Sequence, residues 1–274
     1  MSVQLPSKWI NREISWLSFN ERVLQEAEDA TNPTIERLKF LGIFSNNRDE
    51  FFRVRVANIK KVAEIKGKAK LSSGENPKVI LDNILKQVLK QQVRFDKAYK
   101  NLINELKKEN IFFVNEFQIA GEQQQFAKDY FSDKVRTNLV PILIDKKKPF
   151  PFMKDASTYM CIKMYNKDKK NSKVEYALLE IPSDRVNRIV ILPSIEKKKY
   201  LMMLDDIIRY NLPSVFSIFN YDTIEGYNIK LTRDAGLEID ENLSKSIVDK
   251  LTQSVKDRRV GELVRFVYDG DMPE

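Results

Sequence analysis

An uninterrupted amphipathic stretch between Asn76 and about Lys108 constrains the fold of this chain more than any other feature. Asn76-Pro77 marks the start of a helix. Mostly apolar residues then recur at helical spacing along one stripe, which comprises Leu81, Leu85, Val88, Gln92, Phe95, Tyr99, Leu102 and Leu106. A helix with such a stripe lies along a bundle, so the first part of the chain is predicted to be a helical bundle.

Two shorter helices are predicted ahead of this stretch. The first runs from Phe19 to Asp29 and is opened by Ser18 and Glu21, whose spacing is that of a capping box. The second starts at Asn32-Pro33, where the asparagine caps the helix and the proline occupies its first turn, and it runs to about Phe44. Both belong to the predicted bundle.

A third helix is predicted to begin near Asn47. Asn47 and Glu50, three residues later, have the spacing of a helix cap with a reciprocal partner. The helix then keeps one face apolar through Phe52, Val56, Ile59 and Ala63. Residues 67–76 form a polar connector to the long helix.

The pattern changes at Ile111–Val114, a short apolar run that predicts a strand. Further strands are predicted at 140–144, 158–165, 174–181, 188–192, 227–232 and 263–268, and helices at 122–138, 201–212 and 240–256. The runs 158–165 and 174–181 flank a turn-like segment, as in an antiparallel hairpin. The predicted fold class is α+β. An all-α helical bundle occupies residues 1–108, and an α+β head domain with a mainly antiparallel sheet occupies 109–274, truncated at its C-terminal end.

The absence of histidine among the 274 residues limits the chemistry of this chain. It excludes imidazole nucleophiles, bases and metal ligands, and the single cysteine, Cys161, leaves no structural zinc site. No glycine-rich phosphate loop or serine nucleophile motif is present. Asp205-Asp206 could ligate magnesium, but first-turn helix residues are the preferred interpretation. No catalytic residue and no metal site is therefore predicted in this chain.

The charge balance favours anionic partners. Lysine and arginine number 47 against 39 acidic residues, so the net charge is +8 and the pI about 9.2. Three lysine-rich runs, at 146–148, 167–170 and 197–199, are assigned to solubility, with polyanion contact as the minority alternative. No apolar run is long enough to span a membrane, and the start lacks the features of a secretion signal. The expected location is the cytoplasm, with membrane association as a further option.

The segment Ser45–Glu50 is the most informative short motif. The Asn47 amide can donate and accept hydrogen bonds at once, which suits an adenine edge. Arg53 and Arg55 follow closely and favour anionic groups such as phosphates. The capping and binding interpretations are compatible, because a cap would use the Asn47 carbonyl oxygen and leave its amide nitrogen free.

An ordered set of segments resembles the bacterial polyphosphate kinase family. The segments are Glu13–Ala27, Leu41–Phe51, Tyr176–Asp184, Lys230–Asp234 and Val264–Pro273, and together they cover essentially the whole chain. The resemblance implies an N-terminal helical domain that closes over the nucleotide and a head domain that mediates dimer contacts. It implies reversible transfer of the ATP terminal phosphate to inorganic polyphosphate, with magnesium and a phosphohistidine intermediate.

The resemblance also assigns roles within this chain. The second asparagine of the Ser-Asn-Asn motif contacts ATP in the family, which corresponds to Asn47. The family's catalytic histidines and magnesium ligands belong to a C-terminal half that follows this segment. The chain alone is therefore expected to be inactive, with ATP, ADP and polyphosphate as partners of the whole enzyme and homo-oligomer contacts through the head domain.

Two other classes of function stay open at this point. A basic nucleic-acid or polyanion-binding module without catalysis is favoured by the pI and the lysine runs, although no aromatic residues interleave with them as a stacking platform would require. A pure interaction scaffold is favoured by the long amphipathic helix. No specific nucleic-acid partner is predicted.

Overall fold

The computed structural model describes residues 10–65, 71, 74–145, 147–167, 174–235 and 261–273. They group into two compact units. Unit 1 comprises Met1–Glu105 with Thr232–Arg265, and unit 2 comprises Leu106–Leu231 with Phe266–Glu274. No sequence pattern indicated that 232–265 would group with the helices, and the division into domains at 1–108 and 109–274 stays a prediction.

Unit 1 is built on a succession of helices. They are α1 (Arg12–Glu28), α2 (Thr34–Glu50), a π-helical segment (Phe51–Val56), α3 (Ala57–Glu64) and α4 (Pro77–Lys108). The long helix begins at Pro77 as predicted, and the side chain of Asn76 accepts a hydrogen bond from the Lys78 amide at 3.0 Å. This bond satisfies one of the amides that every helix start leaves without an intrahelical partner.

The first helix begins earlier than its sequence pattern predicts. Asn11 caps α1, and its side-chain oxygen accepts from the amides of Glu13 at 2.9 Å and Ile14 at 3.4 Å. Ser18 therefore lies within the helix and donates to the Ile14 carbonyl at 3.1 Å. The predicted capping box of Ser18 and Glu21 is wrong, because Asn11 satisfies the orphan amides one turn and more upstream.

The second and third predicted helices form one continuous helical run. Asn47 lies inside α2, so the predicted helix start and cap at Asn47 are wrong. The buried face continues without a break through Leu41, Phe44 and Phe51. Because a continuous apolar face stabilises a continuous helix, the helix does not end before Asn47. A π-helical segment at Phe51–Val56 then shifts this face and buries Phe52, Val56 and, in α3, Ile59.

Two apolar clusters form the core of unit 1, and α4 contributes to both. One contains Leu17, Phe51, Phe52, Val56, Ala57, Ile59, Ile80, Ile84, Val88 and Val264; the other contains Leu24, Ala27, Leu41, Phe44, Ala98 and Leu102. Trp16 stacks on Phe51 with 4.6 Å between ring centroids. Val88 and Leu102 of the predicted stripe are buried, but Leu85 and Tyr99 are exposed and Ile80, Ile84 and Ala98 take the core positions.

The described strands form two sheets. The strands are β1 (Ile111–Val114), β2 (Ile142–Ile144), β3 (Thr158–Tyr165), β4 (Glu175–Glu180), β5 (Ile189–Ile195), β6 (Lys198–Met203), β7 (Thr223–Arg233) and β8 (Leu263–Tyr268). The strand orders are β1-β6-β5 and β2-β4-β3-β7-β8. The pairing of β1 with β6 is parallel, whereas β5–β6, β2–β4, β3–β4 and β3–β7 are antiparallel.

Two helices pack with these sheets around the largest core of the unit. α5 (Glu122–Tyr130) continues through a π-helical segment (Phe131–Val135) and a 3-10 turn (Arg136–Asn138), so the helix predicted at 122–138 is confirmed. The core includes Ala127, Phe131, Met160, Ile162, Leu179, Ile207, Ile208 and Leu212. The last three belong to α6 (Leu204–Val215).

One strand of unit 2 was missed from the sequence. The helix predicted at 201–212 begins and ends three residues later, at Leu204–Val215, because β6 occupies Lys198–Met203. A turn with positive φ at Glu196 and Lys197 (50° and 64°) joins β5 to β6. Of the lysine run at 197–199, two residues thus begin a strand. The charges of that run concealed the strand, since apolar alternation is the main signal for one.

The predicted fold class is confirmed: a helical N-terminal region precedes mixed, mainly antiparallel sheets. Within the described ranges no helix is long and apolar enough to cross a membrane. Some of the predictions fall outside the described residues: most of the connector 67–76, Lys146, residues 168–170 and the helix at 240–256.

Candidate functional site

Asn47 is half-buried on α2 and is held by a second asparagine. Its Nδ2 donates a hydrogen bond to Oδ1 of Asn20 at 3.0 Å. Asn20 is fully buried on α1, and its own Nδ2 donates to the carbonyl oxygen of Phe44 at 3.2 Å. The two amides form a relay that ends on the backbone of α2. The expectation that the Asn47 amide nitrogen is free is therefore wrong, because Asn20 accepts a hydrogen bond from it.

Arg48, the next residue, is buried. Its guanidinium lies over the rings of Phe44 at 5.2 Å and Phe95 at 5.7 Å and donates to Oε1 of Gln92 at 2.6 Å. Burial, and secondly the positive charge of Arg265, lower the pKa of Arg48 to about 10, although the carboxylates of Asp49 and Asp96 oppose the shift. Among the described residues its Nε has no hydrogen-bond partner.

Arg265 of β8 contacts the same stretch of the chain, through Asp49 and Phe52. Its guanidinium pairs with Asp49 at 2.5 Å and lies over the Phe52 ring at 5.1 Å. Burial lowers the pKa of Arg265, although the Asp49 carboxylate opposes that shift. We call Asn20, Asn47, Arg48, Asp49, Gln92 and Arg265 the Asn47 cluster. All of its members belong to unit 1.

Arg53 and Arg55, the predicted phosphate contacts, lie on the π-helical segment but point to different partners. Arg53 forms an ion pair with Glu50 at 3.5 Å. Arg55 donates to Oε2 of Glu13 at 2.9 Å. Residues two apart on a helix do not share a face, which explains the separation.

A surface pocket of about 580 Å³ lies beside Arg55 in unit 1. Its lining is Asn11, Arg12, Glu13, Val54, Arg55, Asn58, Ile59, Val62 and Leu71. The buried Glu13 carboxylate accepts from Arg12 as well as Arg55, so two guanidiniums share one carboxylate and leave a net positive charge. Neither Asn47 nor Arg53 is among the lining residues. The structure therefore does not bring the three predicted site residues to one described pocket.

The amides and guanidiniums described so far in unit 1 are suited to ligand recognition. Amides and guanidiniums donate hydrogen bonds and stabilise anions, and none of them acts as a nucleophile at neutral pH. The sequence contains no histidine. Across the described parts of both units, no three histidine, cysteine or acidic side chains converge as a metal site would require.

A second charged cluster, which the sequence did not reveal, lies in unit 2 around Arg209 of α6. Its Nη1 contacts Asp206 at 2.6 Å and Glu116 at 3.4 Å, its Nη2 lies 3.6 Å from Asp269, and its Nε donates to the Gly226 carbonyl at 2.9 Å. Asp205 and Asp206 occupy the first turn of α6, which confirms the preferred interpretation of that pair. We call Glu116, Asp205, Asp206, Arg209 and Asp269 the Arg209 cluster.

The electrostatics of the Arg209 cluster differ from those of Arg48. Burial, with the neighbouring Asp205 charge, raises the pKa of Asp206 to about 7, although Arg209 opposes the shift. Burial alone would lower the pKa of Arg209, but Glu116 and Asp206 raise it. Burial also raises the pKa of Asp269. The only sequence signal was the i, i+3 spacing of Asp206 and Arg209, because Glu116 and Asp269 are distant in sequence.

Comparison with known proteins assigns both parts of the chain to one family. Residues 9–114 match the family model described as the polyphosphate kinase N-terminal domain. Residues 122–274 match the family model described as the polyphosphate kinase middle domain. The chain is 41% identical over 272 residues to the polyphosphate kinases of Salmonella typhimurium and Escherichia coli, which covers 97% of this chain and 38% of each relative.

The fold also has a solved counterpart. The crystal structure of polyphosphate kinase from Porphyromonas gingivalis is similar with a TM-score of 0.77 and 30% identity. The similarity covers 97% of this chain and 36% of that one. The chain thus spans a little over a third of the length of these relatives.

Proposed function

The chain belongs to the polyphosphate kinase family, and on that basis we propose that it forms the N-terminal and head region of an enzyme that transfers the terminal phosphate of ATP reversibly to inorganic polyphosphate. The observation that carries the proposal is the ordered pair of family matches over 9–114 and 122–274. The phosphohistidine of this mechanism lies outside the chain, since none of the 274 residues is histidine. The chain alone should therefore not turn over.

In this proposal Asn47 contributes to the wall of the nucleotide pocket. It is half-buried, so part of its amide can reach a ligand while Asn20 holds the other part. Arg48 and Arg265 outnumber Asp49, the one carboxylate of the Asn47 cluster, and the resulting positive potential favours a nucleoside triphosphate. Because Asn20 already fixes the Asn47 side chain, Asn47 loses little rotamer freedom when the nucleotide binds.

Arg55 and Arg53 are the proposed contacts to phosphate groups. Arg55 is the better supported of the two, because it lines the pocket that also holds Arg12 and it is about one-third exposed, at 32%. A guanidinium has five N–H donors, so its bond to Glu13 leaves donors for phosphate oxygens. The net charge of +8 over the chain supports a polyanionic substrate.

The remaining parts of the proposal concern magnesium, assembly and location. In this proposal magnesium is held by the part of the enzyme outside this chain, and among the described residues no three histidine, cysteine or acidic side chains could hold a metal ion together. Homo-oligomer contacts are assigned to the head domain, where β2 exposes Ile142 and Leu143. The cytoplasm is the proposed location of the whole enzyme, where ATP is available.

The test compares the complete reading frame that contains this chain with the 274-residue chain alone. The complete protein should synthesise polyphosphate from ATP, whereas the chain alone should consume no ATP. In the complete protein, Asn47→Ala should raise the KM for ATP about tenfold, since a ligand hydrogen bond is worth on the order of 1 kcal/mol or more. Asn46→Ala is the matched control, because Asn46 is exposed on the same helix and should leave the KM unchanged.

Two results would count against this function. Steady ATP consumption by the purified chain alone would show that catalysis does not need a histidine from elsewhere. Equal KM values for the Asn46 and Asn47 variants would remove Asn47 from the nucleotide pocket.

A further inference from the structure

Asn20 occupies an unusual position for a polar side chain, because it is completely buried yet serves no helix end. It lies in the middle of α1, with an exposed fraction of 0%. Burying an amide is costly unless it is hydrogen-bonded. Asn20 meets this cost with two bonds, one donated to the Phe44 carbonyl and one accepted from Asn47.

These two bonds fix the orientation of both amides. A backbone carbonyl can only accept, so the group of Asn20 that faces Phe44 must be its Nδ2. Its Oδ1 must then face Asn47 and can only accept, which requires the Nδ2 of Asn47 to point towards it. Rotating either amide by 180° would place two acceptors or two donors against each other.

With its Nδ2 bonded to Asn20, Asn47 has its Oδ1 left for a ligand. Within the described residues, Oδ1 of Asn47 accepts no side-chain hydrogen bond, and the residue is half-buried rather than sealed. Asn47 therefore presents a carbonyl oxygen, whose orientation is set from beneath by Asn20. An oriented oxygen of this kind selects a ligand group that donates a hydrogen bond.

We propose that Asn20 is a positioning residue that turns Oδ1 of Asn47 towards the nucleotide, where it accepts a hydrogen bond from the 6-amino group of the purine. The inference rests on the proposed function, in which Asn47 contacts ATP. Adenine carries a donor at this position, whereas a 6-oxopurine such as hypoxanthine carries an acceptor. The oriented amide should thus select for the aminopurine and against the oxopurine.

Losing Asn20 should change selectivity in a way that general destabilisation cannot. Without the Asn20 acceptor, the Asn47 amide can rotate by 180° and present its Nδ2 to an oxopurine. The ratio of kcat/KM for ATP to kcat/KM for inosine triphosphate should then fall about tenfold in Asn20→Leu, from one hydrogen bond weakened and another gained. A loss of folded enzyme would lower both values and leave their ratio unchanged.

The matched control is Gln91→Leu. Gln91 of α4 is 2% exposed, and its Nε2 donates to the Leu17 carbonyl at 3.1 Å, so it is a buried amide bonded to a helix carbonyl in the same unit. It makes no described contact with Asn47. Its removal should weaken folding as Asn20→Leu does, while the ATP to inosine triphosphate ratio stays within about twofold of the wild type.

Asn20→Asp provides a second variant that should behave as a rescue. A carboxylic acid at this position can donate to Phe44 through its proton and accept from Asn47 through its other oxygen, and an ionised carboxylate can still accept from Asn47. Asn20→Asp should therefore keep the wild-type ratio, where Asn20→Leu loses it. All variants are measured in the complete enzyme that carries this chain.

The outcomes separate the positioning role from the proposed function. If Asn47→Ala lowers the ratio but Asn20→Leu does not, or if Asn20→Asp loses it, the positioning role is wrong and the nucleotide contact stands. If Asn47→Ala leaves both the ATP KM and the ratio unchanged, the nucleotide contact itself is wrong. A reduced ratio in Asn20→Leu and Asn47→Ala, kept in Asn20→Asp and Gln91→Leu, supports both.

Discussion

Arg48 in unit 1 is buried and Arg209 in unit 2 is half-buried, and the two arginines have different electrostatic surroundings. Arg48 lies between two aromatic rings, bonds to the neutral amide of Gln92 and has Arg265 nearby. Arg209 contacts the carboxylates of Asp206, Glu116 and Asp269. The pKa of Arg48 is lowered and that of Arg209 is raised.

The contrast shows that burial alone does not decide what an arginine contributes. Arg209 compensates charges that would otherwise repel one another in a partly dehydrated space, so its neighbours depend on it. Arg48 is only weakly compensated, because the charges of Asp49 and Asp96 do not outweigh its burial and the nearby Arg265. Unit 2 therefore uses Arg209 for stability, whereas unit 1 keeps two cations, Arg48 and Arg265, beside Asp49 in the stretch that follows Asn47.

The largest effect is expected from Arg209→Met. Methionine retains the apolar stem but leaves three carboxylates without their shared cation, so unit 2 should lose about 3–5 kcal/mol of unfolding free energy. Hydrogen exchange of the β3 and β4 amides, followed by mass spectrometry, measures this loss in unit 2. Arg185→Met is the control, since Arg185 is 68% exposed in its pair with Asp184 and should cost less than about 0.5 kcal/mol. Similar losses in both variants would refute the central role of Arg209.

A smaller effect of about 2–3 kcal/mol is expected from the titration of Asp206. Its pKa is about 7 in the folded state against an ordinary value of 3.8, so the folded state holds a proton that the unfolded state has released. Unfolding free energy of unit 2 should therefore fall as pH rises from about 4 to 7, by at most about 1.4 kcal/mol per pH unit. Asp205, Glu116 and Arg209 are the charged groups that face it.

The check is the same exchange measurement on Asp206→Asn between about pH 4 and 7. Asparagine does not titrate, so the variant should lose the downward slope that the wild type shows across this range. Asp184→Asn, at an exposed position, should keep the wild-type slope. A wild type whose stability rises steadily across the same range would mean that Asp206 is ionised throughout, with the Arg209 pair outweighing burial.

Local patterns in the sequence predicted the elements well and the partners of each side chain poorly. The helix at Pro77–Lys108 and the hairpin of β3 and β4 were predicted because periodicity and turn residues act over a few positions. The cap at Asn47 was wrong because the tertiary burial of Phe44 and Phe51 outweighed a local capping signal.

The candidate sites show the same limit. Asn47 was singled out by its motif, and its role in ATP contact stays a prediction. Its hydrogen bond to Asn20 was not foreseeable, since 27 residues separate the two and nothing local indicates which amide faces which. The Arg209 cluster was missed for a related reason, because Glu116 is 93 residues from Arg209 in sequence. Long-range pairs become visible only once the fold brings them together.

The smallest effect is expected from Arg48→Met. Methionine keeps the packing between Phe44 and Phe95, and the variant loses one hydrogen bond to Gln92 and the cation–π contacts. It also relieves the cost of burying a charge beside Arg265, and replacing such a charge by an apolar residue of similar volume is often neutral. Unit 1 should change by less than about 1 kcal/mol, measured by urea unfolding with the fluorescence of Trp16, which stacks on Phe51.

Arg37→Met is the control for Arg48→Met, because it removes a buried arginine whose hydrogen-bond acceptors depend on it. Arg37 is as buried as Arg48, at 5% against 4%, but it donates to the Ala27 carbonyl at 2.9 Å and pairs with Glu105 at 2.7 Å. Its removal leaves both acceptors without their donor, so it should cost about 2–3 kcal/mol. If Arg48→Met costs as much as Arg37→Met, then Arg48 is a compensated charge after all. Arg48 and Arg209 would then differ in which groups they contact, and not in whether their charge is compensated.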